Sequence, residues 1–110
     1  MLIVTTSTIQ NAKIKYLGTV TGEVIIGANF FKDFAAGMTN FFGGRSGQYE
    51  NSLEEARQSA VQEMTKKAEK LGANAIIAMD LDYETITAGN SSMLMVACSG
   101  TAVILEKENL

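Results

Sequence analysis

Three groups of residues in this chain are equipped for chemistry. Gly43-Gly44-Arg45-Ser46-Gly47 combines glycine amides, a guanidinium and the expected entrance to a helix. Backbone N–H groups at such an entrance attract anions, so the stretch is a candidate site for phosphate or a carboxylate. It lacks the Lys-Ser/Thr pair that closes a Walker A loop. The alternative is an interhelical turn in which glycine supplies positive φ and Arg45 pairs with a carboxylate such as Asp33 or Glu50. Asp80, Asp82 and Glu84 are the second group. Period-2 spacing puts all three on one strand face, successive members ~7 Å apart. Their oxygens suit Mg, Ca or Mn better than a soft metal, but one strand spaces them too widely for a mononuclear site. Further oxygens would have to come from Glu23 or from another copy of the chain; otherwise the three form a solvated polar strip. Sulfur is the third group, in Met93, Met95 and Cys98. Strand alternation points Cys98 away from the two methionines, so core packing explains them better than a soft-metal site.

What is missing narrows the chemistry further. The chain has no histidine, which excludes Ser-His-Asp and Cys-His catalysis and every His-containing zinc site within it. No spacing singles out a nucleophile with its base. The expectation is a non-enzymatic protein without a cofactor, a divalent metal being the alternative left open.

These residues have to be positioned by a single domain, residues 1–110. Apolar content of 46% with 19% charge is ordinary globular composition. A net charge of −3 has the wrong sign for a phosphate-backbone binder, so nucleic acid is not an expected partner. No apolar run approaches the ~18 residues that cross a bilayer, and Met1-Leu2-Ile3-Val4 does not open a signal peptide. One cysteine cannot form an internal disulfide. Together these suggest a cytoplasmic protein with no membrane contact.

After a short extended start at Leu2 to Thr5, Lys13 to Gly27 reads as a strand. Its even positions, Ile14 to Ile26, form an apolar face that includes Gly18 and Gly22, which implies a bend or the close approach of a helix. Asn29 offers an N-cap to a helix from Phe30 to about Phe42, whose phenylalanine stripe reads as core and subunit contact, or as the wall of a small apolar ligand site. A second helix ends near Leu71 with Gly72 beyond it. Ser52 and Glu55 have capping-box spacing, with an earlier beginning at Ser46 as the alternative. Leu53, Ala56, Ala60, Met64, Ala68 and Leu71 mark its buried stripe. Strands at about Asn74 to Thr87 and Ser92 to Glu106 close the chain, joined by Ala88-Gly89-Asn90-Ser91. The first alternates Ala75, Ile77, Met79, Leu81 and Tyr83 with the acidic residues. The last is apolar on both faces, as a central strand must be.

The pattern predicts an α+β fold of two layers, β-α-α-β-β: a three-stranded antiparallel sheet, last strand central, with two helices on one face. Nothing in the chain is left to cover the other face, where Leu17, Ile25, Ile76, Met93, Met95 and Val103 would sit. A second copy is the economical cover.

Val20-Thr21-Gly22-Glu23, Gly27-Ala28-Asn29, Gly43 to Glu50, Gly72-Ala73-Asn74-Ala75, Asp80 to Glu84, Ser92 to Val96 and Ser99 to Val103 follow one another in an order that resembles the YbjQ family. That family comprises small bacterial and archaeal proteins of unestablished function that carry a heavy-metal-binding label. The resemblance implies a dodecin-subunit-like fold with two helices in place of one, a central last strand and a homopentamer. It implies no catalytic residue. Two functions follow as expectations: a non-enzymatic homo-oligomeric binding or scaffold protein with any ligand between subunits, or a heavy-metal-binding protein.

Overall fold

A computed structural model describes residues 1–27, 46–89 and 91–107. The expected helix from Phe30 to Phe42, and Gly43, Gly44 and Arg45 of the candidate anion loop, lie outside these residues. Five elements are described: β1 (Leu2–Ile3), β2 (Ala12–Ile26), α1 (Ser46–Lys70), β3 (Ala75–Ala88) and β4 (Ser91–Lys107). The strands form one sheet in the order β1-β3-β4-β2. β4 runs antiparallel to both β2 and β3. The last strand therefore lies between the other two long strands, as its two apolar faces require.

The sheet has four strands and is mixed, where three antiparallel strands were expected. Leu2 and Ile3 pair in parallel with Ala75 and Ile76, and the Val4 amide donates to the Ile76 carbonyl at 3.0 Å. Two residues are too few to generate a periodic signal, so the sequence pattern leaves this strand as an extended start.

α1 begins at Ser46, not at the Ser52 capping box, and lies on one face of the sheet. Ala56, Ala60, Met64 and Ala68 are its buried stripe, joined in the core by Val20, Ile76, Val96, Cys98 and Ala102. Alanine dominates the stripe because the helix comes very close to β2. A Cβ built on Gly22 would stand 1.9 Å from the Ala60 carbonyl oxygen, so only glycine fits there. The stripe stops short of Leu71, which is exposed. The helix ends in a Schellman motif: Gly72 takes φ 87°, its amide donates to the Glu69 carbonyl at 2.9 Å, and the Ala73 amide to the Ala68 carbonyl at 3.1 Å.

Two bulges set which side chains face the helix. On β2 the register shifts between Tyr16 and Gly18, and Gly18 takes φ 144°. Leu17 consequently packs in the helix-side core, while Ile14 joins a second cluster. The expected continuous even-numbered face from Ile14 to Ile26 is thus broken. On β3 the shift lies between Ile77 and Asp80. Ala78 adopts φ 53° there, and the Ala78 and Met79 amides donate to the Thr6 and Val4 carbonyls at 2.8 and 3.0 Å. Ile76, Met79 and Leu81 therefore share the helix side, and Ala75 and Ile77 do not. An extra residue in one strand exchanges its faces from that point on, which moves Leu17 and Ile76 off the face expected to be uncovered. Gly100 lies opposite the β3 bulge, where a Cβ would meet the Ile76 side chain at 2.5 Å.

The second cluster, Ala75, Ile77 and Val103 with Val4, Ile9, Ile14 and Leu105, lies on the sheet face away from α1. The segment after β1 folds over this end. At the same end Asn74 fastens the start of β3 to β4: its side-chain amide donates to the Leu105 carbonyl at 3.0 Å and its carbonyl accepts from the Leu105 amide at 2.7 Å.

Candidate functional site

The β3 bulge places Asp80, Asp82 and Glu84 on the sheet face away from α1. Each lies across from a small or flexible residue of β4, namely Ser99, Ala97 and Met95. β2 continues the same rows with Thr21, Glu23 and Ile25. Glu23 and Asp82 thus flank Ala97 from opposite sides, two strand spacings or roughly 10 Å apart. All four acidic residues are exposed.

Hydrogen bonding to Asp80, the negative charge of Asp80 and the nearby Glu84 hold the Asp82 carboxyl above its ordinary range. A carboxyl beside other negative charges resists ionising, so Asp82 holds its proton more tightly. Among the described residues, however, no three Cys, Asp or Glu side chains converge on a point that could hold a metal ion. Glu23 is too far to complete a set within one chain, so the strip needs oxygens from elsewhere to chelate.

Sulfur is arranged as strand alternation suggests: Met95 lies across from Ile25 and Glu84 on the face away from α1, and Cys98 is on the other face. Cys98 is buried on the helix side, in one core cluster with Met64 and Met79. Burial raises its thiol pKa, and the negative Glu63 adds to that effect. A protonated, desolvated thiol is a poor nucleophile and a poor soft-metal ligand.

Of the candidate anion loop, Ser46 and Gly47 open α1. The structure describes no geometry for the Arg45 guanidinium.

One polar cluster escapes the sequence reading. Arg57 reaches from α1 across to β3, donating from Nη1 to the Tyr83 hydroxyl and from Nε to Glu54 Oε2, both at 3.0 Å. Its Nη2 pairs with the same carboxylate. Tyr83 and Glu54 together raise the guanidinium pKa, while Arg57 lowers that of Glu54. Glu54 and Arg57 border an open groove of about 360 Å³ with Gln58, Val61, Gln62 and Leu81. The i, i+3 spacing of Glu54 and Arg57 was a visible signal, but Tyr83 enters only because the bulge keeps it on the helix side. Every Arg57 contact here is internal, so the cluster braces helix against sheet and presents no nucleophile with its base.

Residues 1–106 match a family model, YbjQ, described as "Putative heavy-metal-binding". A UPF0145 protein of Acetivibrio thermocellus is 55% identical over 107 residues, covering 96% of this chain and all of that protein. UPF0145 proteins of Clostridium botulinum and Listeria grayi are likewise 55% identical with the same coverage. The fold is similar to a crystal structure from Pediococcus pentosaceus, a protein of unknown function in the DUF74 family. The TM-score is 0.68 at 19% identity, over 96% of this chain and 98% of that one.

Proposed function

This chain belongs to the YbjQ family, and from that premise we propose that it is a non-enzymatic homo-oligomeric binding or scaffold protein that holds any ligand between subunits. The observation that carries this reading is the sheet face away from α1. Beyond the end covered by residues 4–9, the described residues place no element on it. Tyr16 there is 67% exposed and Ile25 56%, and Met95 lies beside Ile25 in the register. The described residues are 18 Å through their thinnest dimension, the depth of one helix on one sheet. A second copy is the simplest cover for such a face, and family resemblance puts the count at five. The relatives' names indicate no enzymatic activity. No described helix is long and apolar enough to cross a membrane, in keeping with a proposed place in the cytoplasm. Sedimentation equilibrium of the wild type and of Ile25→Glu tests the reading: the wild type is a stable oligomer and the variant dissociates. A folded wild-type monomer at micromolar concentration refutes it.

A second reading, metal binding, is favoured by the Asp80–Asp82 pair together with the family's description. Its chemistry is that of a hard divalent cation bridging carboxylates of neighbouring subunits, since oxygen donors dominate the face. Elemental analysis after purification without chelator, and titration of the oligomer with Mg, Ca, Mn and Zn, separate the two readings. Metal-free protein without measurable affinity ends the second.

A further inference from the structure

A hollow of about 470 Å³ lies at the end of the sheet where the N-terminal segment folds over it, well away from the acidic strip. Its apolar lining comes from Leu2 of β1, Ile9 of the loop, Ala12 at the start of β2 and Leu105 of β4. The rest of its rim comes from three exposed residues, Gln10, Asn11 and Lys107, which carry two carboxamides and an ammonium. Several constraints hold this wall in shape. Asn11 turns the chain into β2 with φ 60°, a conformation asparagine tolerates better than most residues. Ala12 pairs with Lys107 in the ladder, and Leu105 is clamped on both sides, by Ile14 in the ladder and by the Asn74 side chain. Leu2 stays half exposed although it borders a packed cluster. The volume falls within the range of small-molecule sites, and an apolar wall with a few convergent polar groups is their usual chemistry.

We propose that this hollow binds a small amphipathic carboxylate, its aliphatic chain lying against Leu2, Ile9 and Leu105 and its carboxylate meeting Lys107 and the two carboxamides. The charge decides the class. Lys107 makes no ion pair among the described residues, and Gln10 and Asn11 add N–H donors without adding negative charge. A cation would meet Lys107 as a like charge, and a fully apolar guest would draw nothing from the exposed ammonium and carboxamides, whereas a carboxylate can accept charge-assisted hydrogen bonds from them. The size admits one short chain, not a bilayer surface.

Octanoate, titrated into the full-length protein and followed by methyl NMR and calorimetry, is the test. The expected result is saturable binding of one molecule per chain, with shifts confined to the Leu2, Ile9 and Leu105 methyls. Hexanoate, octanoate and decanoate, kept below micelle formation, tighten by about fourfold per added methylene. Octanol binds severalfold more weakly than octanoate. Lys107→Gln brings octanoate down to the level of octanol without changing the melting midpoint. Leu2→Ser weakens the whole series, and its half-exposed position leaves the fold intact. The proposal is overturned if octanoate gives no saturable shifts, if octanol matches it, if Lys107→Gln has no effect, or if the shifts spread over the open sheet face instead.

Discussion

Replacing Gly22 with alanine should be the most damaging single-methyl change in this protein. The new Cβ would sit 1.9 Å from the Ala60 carbonyl oxygen and 2.9 Å from both the Ala60 carbonyl carbon and the Met64 amide nitrogen. All three are backbone atoms, so no rotamer change relieves the clash. Restoring ordinary contact requires the helix to retreat from β2 by about 1.5 Å. A gap of 0.5–1 Å already forfeits a quarter to a half of the dispersion attraction across a contact, and the contact in question includes Ala60 and Met64, both fully buried. Overpacking costs typically 1–3 kcal/mol; with backbone on both sides, about 3 kcal/mol is expected. At 4–8 °C per kcal/mol for a domain near this size, the melting midpoint falls by roughly 12–24 °C. The assay is thermal and urea melting followed by circular dichroism, at matched protein concentration because association would itself stabilise the fold. Gly27→Ala is the control: among the described residues its Cβ meets nothing within 4 Å, so its stability should stay within about 0.5 kcal/mol of the parent's. A Gly22→Ala midpoint within a few degrees of wild type, with native helix content, would refute the claim that α1 rests directly on that glycine.

Gly72→Ala should destabilise the protein by about 1 kcal/mol in the same melts, because a side chain is forced into the left-handed region at the helix end. Gly100→Ala should cost less than Gly22→Ala, since the first atom its Cβ meets is the Ile76 side-chain methyl at 2.5 Å, which can turn aside. Asp82 has a folded-state pKa above its unfolded one, so the native state binds more protons between those two values. Its contribution to stability is therefore unfavourable at neutral pH and is relieved as pH falls through the folded pKa, levelling off below the unfolded one. Asp82→Asn should melt higher than wild type at pH 7 and lose that part of the acid-side gain; a variant whose midpoint tracks wild type from pH 7 to pH 4 would refute the repulsion between Asp80 and Asp82.

Much of the architecture was legible because its signals are local or periodic. Alternation in Ser92 to Glu106 marked a strand apolar on both faces, and the structure sets it between the two other long strands. Gly72 announced the end of the helix, and the alanine and methionine stripe announced its buried face. Gly18 and Gly22 were marked as a bend or a close approach; Gly18 proves to be the bend and Gly22 the approach. The acidic triplet was placed correctly on one strand face, because period-2 geometry needs no tertiary knowledge. What only the tertiary structure decided is the phase of each strand. Tyr16-Leu17-Gly18 and Ile76-Ile77-Ala78-Met79 are apolar or neutral at every position, so an inserted residue leaves no mark in the pattern. The bulge on β3 is held by the Thr6 and Val4 carbonyls, some seventy residues earlier in the chain. That contact sends Ala75 and Ile77 to one side of the sheet and Met79, Leu81 and Tyr83 to the other, and so brings Tyr83 to Arg57. Hydrogen bonds made across such a separation cannot be read from neighbouring residues, and they determine which side chains share a face.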